Sequence, residues 1–366
     1  MNISATVYPR GKVAGVYPAL DSRREEAYVD FIEDARNFLL HAQQRPIGEY
    51  SRGLMASAGL AQTPDRDATQ RSIELLMRDP VLKTYYRIKR SLQESFWNSL
   101  LRAYGGRREA LLAAFDAAEK QGPGTVTWDP AWSPPEYSNV EIHLQPGGYN
   151  REPLAGLMYD FGLKVFMGGA ADRDFIAHMA AKAAVAPIDD KVARILDLGC
   201  SAGATTTALK VKHPQAEVVG IDVSAPMLRY AHLRAIEQGI EVHFRQMAAE
   251  ALTLADDSVD MVLAMLLFHE VPVPVGRRII EEAFRVLRPG GTMTVLDFSG
   301  DRERDVYSMF FAEMDAVDNG EPYLPGFVRS NVETVMREVG FEMRPYDHRQ
   351  SLTTGRVGVK PGATRP

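Results

Sequence analysis

The sequence contains a single cysteine, Cys200, among its 366 residues. One thiol cannot build an intramolecular disulfide framework, nor a zinc cluster that rests on several thiolates. The sequence shows no other metal-binding motif, so we expect no metal site. This cysteine usage fits the reducing environment of the cytoplasm.

Long basic runs and long apolar runs are also missing. Lys and Arg number 42 against 48 Asp and Glu, which gives a net charge of −6, and the longest basic runs are pairs such as Arg107-Arg108. A nucleic-acid-binding protein needs a basic face to neutralise phosphates, so the composition argues against nucleic acid as a substrate. Residues 1–15 lack the apolar stretch of a secretory signal, and no window approaches the roughly 18 apolar residues that span a bilayer. We predict a cytoplasmic protein without a membrane partner.

The length predicts two folded domains, at roughly 100–200 residues for each. Apolar positions recur at helical spacing over residues 23–43, 81–100 and 107–120, and Asp21-Ser22 offers an N-cap for the first helix. We therefore predict that residues 1–121 form a mostly helical domain. It has no catalytic signature of its own, and it serves either as a dimerisation surface, which would make a homodimer, or as a wall of the substrate pocket.

Residues 122–152 are rich in helix breakers. They include Gly122-Pro123-Gly124, Pro134-Pro135 and Pro146-Gly147-Gly148, which preclude a long helix. Loops longer than about 12–15 residues are usually disordered or part of a binding site. The ordered alternative is favoured by four aromatic residues: Trp128, Trp132, Tyr137 and Tyr149. We predict a connecting segment that packs near the active site and can act as a lid.

From residue 153 onward the sequence alternates between helical and strand patterns. Helices are predicted over residues 154–167, 175–185, 205–213, 227–238, 277–287 and 332–339, and strands over 193–198, 218–223, 261–265 and 292–298. This alternation is typical of an α/β fold with a parallel, doubly wound, Rossmann-like sheet.

Residues 194–203, Arg-Ile-Leu-Asp-Leu-Gly-Cys-Ser-Ala-Gly, place Gly199 and Gly203 between a strand and a helix. A ligand that lies over the end of the strand requires positions without side chains, and the helix N-terminus supplies backbone donors. Asp222 follows about 20 residues later, at the end of the next strand, where a carboxylate can accept hydrogen bonds from both hydroxyls of a ribose. The pattern predicts a site for an adenosine-containing cofactor.

Two details of the loop bear on the choice of cofactor. The pattern G-x-S-x-G is one residue shorter than G-x-G-x-x-G, and Asp197 precedes it by two positions. A carboxylate beside the loop would repel a pyrophosphate but attract the α-ammonium group of a methionine moiety. These details argue against NAD. An NAD-dependent oxidoreductase and a non-catalytic regulatory protein that retains the cofactor site stay as alternatives.

Three motifs in this order resemble those of the class I S-adenosylmethionine-dependent methyltransferases, particularly the small-molecule group that includes enzymes of ubiquinone and menaquinone biosynthesis. They are residues 197–203, Gly220-Ile-Asp-Val-Ser224 and Val286-Leu-Arg-Pro-Gly-Gly291, and the resemblance covers residues 190–300. It implies a Rossmann-like fold, S-adenosylmethionine as cofactor, and methyl transfer to a small organic molecule.

The resemblance also implies roles for individual residues. Asp197, Gly199 and Gly203 would flank the methionine end of the cofactor, Asp222 would bind the ribose, and Met227 or its neighbour would cover one face of the adenine. Further contacts are expected from Val223 and Tyr159, and from Cys200, which we interpret as a small structural residue of the loop and not as a nucleophile.

The third motif departs from the family pattern. Such enzymes often carry an Asp after the third strand that contacts the adenine amine, whereas residues 246–250 read Gln-Met-Ala-Ala-Glu and place Ala248 at that position. We expect backbone groups near Ala248 and Ala249, together with the apolar Met247, to hold the adenine instead.

Methyl transfer requires alignment, desolvation and, if the acceptor is protonated, a base, but no metal. His269 follows the fourth strand, at the sheet edge that faces a ligand, and is the preferred base or substrate-orienting residue. The alternative is a structural histidine that bonds the backbone of its turn. Glu270 is interpreted as a helix-start residue near Pro272.

A second group of candidates lies in the connecting segment. His143, Gln145 and Tyr149 stand just before the helix that contains Tyr159, and together they could form a lid over the methionine end. The alternative is a turn with solvated polar residues. Two aromatic, Met-containing segments follow the fifth strand: residues 307–311 and 323–327. They either cap a pocket for an apolar substrate or belong to the core.

Overall fold

The computed structural model describes residues 20, 22–60, 65–167, 171–298, 305–346 and 353–362. The first part of this chain is a layer of helices: α1 (Arg23–Asn37), which continues through a π-helical turn (Phe38–Gln43) into α2 (Gln44–Ser57), then α3 (Arg66–Leu76), α4 (Pro80–Gly105) and α5 (Arg108–Ala118). The three predicted helices of this region are confirmed. The helices α2 and α3 were not predicted, since Pro46, Gly48 and Gly53 weaken the helical signal of α2.

The longest helix, α4, begins where its sequence provides a cap. The carboxylate of Asp79 accepts hydrogen bonds from the backbone N–H groups of Val81 and Leu82 at 2.9 and 3.1 Å, and Pro80 occupies the first turn. Further along, Phe96 and Trp97 are fully buried among residues that follow position 153. The helical layer therefore shares a core with the α/β part.

Eight strands form one sheet in the order β1-β4-β3-β2-β5-β6-β8-β7. The strands are β1 (Thr125–Thr127), β2 (Arg194–Leu198), β3 (Glu217–Asp222), β4 (His243–Gln246), β5 (Val259–Met265), β6 (Leu287–Asp297), β7 (Glu342–Arg344) and β8 (Thr354–Val359). The first six run parallel, but β8 is antiparallel to both β6 and β7. The prediction of a wholly parallel sheet was wrong at this edge, because antiparallel neighbours need no crossover helix and leave no helix-strand alternation in the sequence.

Helices cover both faces of the sheet. They are α6 (Ala155–Phe166), α7 (Phe175–Ala183), α8 (Ala204–Lys212), α9 (Ala225–Gln238), α10 (Val273–Val286), α11 (Val306–Asp318), α12 (Leu324–Arg329) and α13 (Val332–Val339), and short 3₁₀ segments lie at Glu136–Ser138, Ile142–Leu144, Asp172–Asp174 and Phe268–Glu270. One core packs α7, α8 and α9 against the sheet, and another packs α10 and α13 against its other face. The doubly wound α/β prediction is confirmed.

The connecting segment contributes the edge strand β1, which was not predicted. Val126 stands in register with Phe244 of β4. Gly124, just before the strand, has a φ of +80°, and a Cβ there would lie 2.0 Å from the carbonyl oxygen of Val242. The division into residues 1–121, 122–152 and 153–366 stays a prediction. In the part of the chain described, no helix is long and apolar enough to cross a membrane.

Strand β2 has β3 on one side and β5 on the other. The chain thus leaves β2 toward one edge of the sheet and later returns to its other side. In open α/β sheets, ligands bind in the crevice that this reversal creates beyond the carboxyl ends of the strands. The fold therefore places the candidate site at the ends of β2, β3 and β5.

Candidate functional site

A cavity opens at this reversal point. Several predicted cofactor and lid residues line it: Tyr149, Tyr159, Gly199, Cys200, Asp222, Val223, Met227 and Ala249. Six other predicted residues do not line it: His143, Gln145, Asp197, Gly203, Ala248 and His269. The first group therefore borders the cavity, and the second group lies outside its lining.

The glycine loop after β2 uses its two glycines differently. Both have positive φ, 65° at Gly199 and 78° at Gly203. A Cβ on Gly199, which lines the cavity, would lie 2.8 Å from a methyl carbon of Leu267. A Cβ on Gly203 would instead collide with the ring of Phe244 at 2.7 Å. Gly199 therefore keeps the cavity open, whereas Gly203 allows α8 to pack closely on the sheet.

Asp222 stands at the end of β3 and faces the cavity. Its carboxylate accepts hydrogen bonds from the backbone N–H groups of Ser201 and Ser224, each at 2.9 Å. Burial raises the pKa of Asp222 to about 6, although these two N–H groups favour the charged form. Each carboxylate oxygen has a second lone pair, so Asp222 can still accept from a pair of hydroxyls. The site fits the ribose of an adenosyl cofactor.

Asp197 lies behind the loop and is 1% exposed. Its carboxylate accepts a hydrogen bond from the Thr206 hydroxyl of α8 at 2.7 Å. Burial raises the pKa of Asp197 to about 7, and the nearby charge of Asp222 adds to this rise. Asp197 is not among the residues that line the cavity, and its role at the methionine end of the cofactor stays a prediction. Asp197 ties the end of β2 to the first turn of α8.

The wall predicted for the adenine is apolar. Val223, Met227, Met247 and Ala249 line this side of the cavity, and Ala248 does not. The side-chain amide of Gln246 donates to the carbonyl of Val223 at 3.1 Å, which joins the ends of β3 and β4. An apolar wall at Met247 and Ala249 agrees with the lack of an Asp in this motif, and the role of Ala248 stays a prediction.

Cys200 is buried in the loop and packs against β3. A Cβ on Gly220 would lie 2.9 Å from the sulfur of Cys200 and 2.7 Å from the hydroxyl oxygen of Thr206. Burial raises the pKa of the Cys200 thiol well above its ordinary value. A thiol that stays protonated is a poor nucleophile, which supports the structural interpretation.

The connecting segment reaches over the cavity. Tyr137, Ser138, Ile142, Tyr149 and Asn150 all belong to its lining. The rings of Tyr149 and Tyr159 meet edge to face, with centroids 5.4 Å apart. The carbonyl of Tyr149 accepts a hydrogen bond from the hydroxyl of Ser224 at 2.5 Å, and Ser224 also caps α9. The segment is thus fastened to the elements that carry Asp222.

Gln145, the third polar residue of the predicted lid, is fully buried. Its side-chain amide donates to the carbonyl of Ala155 at 3.2 Å, at the start of α6. It does not belong to the cavity lining. Gln145 therefore fixes the segment to the α/β part and does not face a ligand.

His269, the preferred base, is buried and paired. Its Nδ1 lies 2.7 Å from a carboxylate oxygen of Asp297 at the end of β6. Burial alone would lower the pKa of His269, but the charge of Asp297 raises it to about 9. At neutral pH the ring is already protonated and cannot accept a proton. This geometry agrees with a structural histidine, although the partner is a carboxylate and not the backbone of the turn.

Glu270 lines the cavity beside the predicted lid residues, a role that sequence reasoning missed. It ends the 3₁₀ segment Phe268–Glu270, and α10 begins only at Val273. A carboxylate oxygen of Glu270 lies 3.4 Å from the Tyr149 hydroxyl and 3.4 Å from Nε2 of His143. The position of Glu270, soon after the fourth predicted strand, was the available signal. The sequence pattern indicated that Glu270 is a helix-start residue.

His143 contacts a second carboxylate on the side away from the cavity. Its Nδ1 lies 2.8 Å from a carboxylate oxygen of Glu321, a buried residue between α11 and α12. Burial alone would lower the pKa of His143, but Glu321 and Glu270 together raise it to about 10. His143 is thus a cation between two carboxylates, one of which faces the cavity.

The two aromatic segments near the C-terminus belong to the core. Phe310 of α11 packs edge to face on Tyr86 at 5.9 Å, and the ring of Phe327 lies 6.2 Å from that of His269. Residues 307–311 and 323–327 are absent from the described cavity lining. These contacts support the core-packing alternative, and the role as a pocket cap stays a prediction.

Residues 195–291 match the family model described as a methyltransferase domain. Over 141 residues the chain is 34% identical to a demethylmenaquinone methyltransferase of Thermus thermophilus, which covers 38% of this chain and 60% of that protein. It is 33% identical over 109 residues to a ubiquinone biosynthesis O-methyltransferase of Pseudomonas putida, and this match covers 28% of this chain and 45% of that protein. The chain thus spans about half the length of the curated relatives it matches.

Among solved structures, the chain resembles a SAM-dependent methyltransferase from Aquifex aeolicus with 22% identity and a TM-score of 0.34, covering 46% of this chain and 81% of the other. The named matches give no support to the oxidoreductase alternative. The matched residues include the glycine loop, Asp222, and Gly290 and Gly291 in the first part of β6. Over residues 195–291 the chain is therefore similar to the methyltransferase domains that this family model describes.

Proposed function

We propose that the protein is an enzyme that transfers a methyl group from S-adenosylmethionine to a small organic molecule. The observation that carries the proposal is the position of Asp222 at the rim of a cavity formed by the glycine loop and the ends of β2, β3 and β5. The family match over the same residues supports the cofactor. The cofactor, when bound, supplies an electrophilic methyl group.

The residues of the chain itself would bind the cofactor and shield it from water. Asp222 would hold the ribose hydroxyls, and Gly199 would let the cofactor approach the backbone of the loop. Met227 and Met247 would enclose the adenine between apolar side chains. Tyr149 and Tyr159 would cover the methionine end and exclude water, which strengthens electrostatic interactions inside the site.

The same proposal extends to the surroundings of the enzyme. A small-molecule acceptor is supported by the names of the relatives, and the absence of a nucleic-acid partner by the net charge of −6. A homodimer through the helical layer is supported by Phe31 and Phe38 of that layer, which are 63% and 56% exposed. The cytoplasm fits the single buried thiol, Cys200.

Isothermal titration with S-adenosylmethionine and with its demethylated product S-adenosylhomocysteine tests cofactor binding. We expect a Kd in the micromolar range, roughly −8 kcal/mol. Asp222→Asn should weaken both ligands at least tenfold, since the amide loses one acceptor and the charge. The matched control is Glu342→Gln, which changes an exposed carboxylate of β7. No binding by the intact wild-type protein would disprove the proposal.

Transfer is tested separately with a methyl-labelled cofactor and the small-molecule fraction of a cell extract. Labelled product that requires the protein supports an enzyme. Cofactor binding without any labelled product would instead support the regulatory alternative.

A further inference from the structure

The described lining of the cavity is acidic. It contains four carboxylates, Asp160, Asp174, Asp222 and Glu270, and within the described ranges no Lys, Arg or His contributes to it. A positively charged sulfonium cofactor is compatible with such a lining. A carboxylate or phosphate on the acceptor would meet these carboxylates and no cationic side chain of the described lining, which costs free energy in a site of low dielectric constant.

Two of these carboxylates already have strong cationic partners. Asp160 lies 2.5 Å from the ammonium group of Lys164, and it accepts from the hydroxyl of Tyr230 at 2.8 Å. Asp174 accepts two hydrogen bonds from the guanidinium of Arg234, each at 2.7 Å. These pairs are short and buried, so they are bonds of the fold itself and leave little capacity for a ligand.

Asp222 accepts two backbone hydrogen bonds and is assigned to the ribose by the proposed function. The contacts of Glu270 are longer than the closest hydrogen bonds of the other three carboxylates. Its contacts with the hydroxyl of Tyr149 and with Nε2 of His143 are both 3.4 Å long, at the limit of a hydrogen bond. It therefore keeps most of its capacity to accept a hydrogen bond from a molecule in the cavity.

The cation next to Glu270 is held in place by the helical layer. The carbonyl of His143 accepts hydrogen bonds from the side chains of Gln93 and Trp97 of α4, each at 2.7 Å. On its other side the ring is bound by Glu321 at 2.8 Å. His143 itself cannot move into the cavity without breaking these contacts. Its positive charge is thereby fixed 3.4 Å from a carboxylate oxygen of Glu270.

We propose that Glu270 accepts the proton of the methyl acceptor, and that this acceptor presents an O–H or N–H group and carries no negative charge. The inference rests on the proposed function. It assigns Glu270 to the acceptor side of the cavity, His143 to the positioning of Glu270, and Asp222 to the cofactor. It also gives the helical layer a role, because α4 holds His143.

A lone pair of the acceptor oxygen or nitrogen forms the new bond to the methyl carbon, and the carbon–sulfur bond breaks with its electron pair moving to sulfur. The acceptor's proton passes to the carboxylate of Glu270, which later releases it to water. General base catalysis of this kind contributes roughly 10²–10⁴-fold to a rate.

Glu270→Gln tests the assignment, because it removes the charge and keeps the size. We expect the rate of labelled-methyl transfer to the extract fraction to fall at least 100-fold, while the Kd for S-adenosylhomocysteine stays within about twofold. Glu342→Gln serves as the control and should leave both values unchanged. Unchanged transfer in Glu270→Gln would overturn the inference. A loss of S-adenosylhomocysteine binding equal to the loss of transfer would overturn it too, since Glu270 would then bind the cofactor.

A second experiment uses only the wild-type protein and so does not depend on how a variant folds. The small-molecule fraction of the extract is passed over an anion exchanger at pH 7, and each pool is tested as acceptor. Labelled product from the unretained pool, which holds neutral and cationic molecules, supports the inference. Product from the retained pool alone overturns the inference but leaves the proposed function intact. Product from neither pool overturns both.

Discussion

The imidazole of His269 and the carboxylate of Asp297 form an ion pair in the interior, with Nδ1 and Oδ1 2.7 Å apart and both side chains buried. The pair joins the segment after β5 to the end of β6. A second oxygen of Asp297 accepts from the backbone N–H of Phe268 at 2.9 Å. Because Asp297 raises the pKa of His269 to about 9, the pair makes stability depend on pH.

The protonated histidine stabilises the folded state, so its contribution is complete below pH 6.5 and is lost as the pH rises through 9. Asp297→Asn removes the charge that holds the proton. Between pH 6 and pH 10, the free energy of unfolding should fall by on the order of 3 kcal/mol more in the wild-type protein than in this variant. Urea unfolding at both pH values measures the difference. Equal losses in the two proteins would show that the pair does not titrate in this range.

Asp197 should have the opposite effect on stability, because burial raises the pKa of its carboxyl group to about 7. The folded state prefers the protonated form, so the penalty is absent below about pH 4 and grows as the pH rises to 7. We expect Asp197→Asn to stabilise the ligand-free protein by on the order of 4 kcal/mol at pH 8 and to change little at pH 4. Urea unfolding at both pH values measures the effect, and destabilisation at pH 8 would contradict it.

Cofactor affinity should fall in acid if Asp222 binds the ribose. The pKa of Asp222 is raised to about 6 by burial, so the carboxylate is ionised at pH 8 and mostly protonated at pH 5. We expect the Kd for S-adenosylhomocysteine to rise roughly tenfold over this interval. Titration calorimetry of Asp222→Asn provides the control, and its weaker affinity should stay nearly constant. A parallel decline in both proteins would assign the dependence to another group.

The glycine at the start of α8 should be required for folding and not for ligand contact. A Cβ at Gly203 would lie 2.7 Å from the Phe244 ring and 2.8 Å from the Ala231 methyl group, with φ at 78°. Gly239 has a similar φ of 68° but open space around it. We expect Gly203→Ala to lower the free energy of unfolding by about 1–3 kcal/mol more than Gly239→Ala, because only the first adds overpacking to the strain. Equal losses would argue against close packing at this point.

Much of the α/β architecture follows from local sequence patterns. The strand-loop-helix order around residues 194–212 and the acidic residue at 222 are encoded by short-range periodicity and by glycines at positive φ, which a linear reading can detect. The helices of the first 120 residues were found where apolar spacing was regular. The helices α2 and α3 were not predicted, and in α2 Pro46 and two glycines weaken the helical signal.

Contacts between distant segments could not be read in this way. Strand β1 joins β4 across more than a hundred residues, and β8 reverses direction beside β6, because pairing depends on which edges remain open after the helices pack. The same holds within the motifs. Gly199 and Gly203 look alike in the sequence, yet one borders the cavity and the other touches Phe244.

The helix-strand alternation and the ordered motifs by themselves determined the fold class and the end of the sheet where a cofactor would lie. Only the tertiary structure decided which acidic and basic side chains reach the cavity. His269 and Asp197 are buried outside its lining, whereas Glu270 belongs to the lining. Glu270 lies beside His143, which is held in place by α4 and Glu321. The reason is physical: side-chain chemistry is local to a residue, but burial and charge pairing are properties of the segments that surround it.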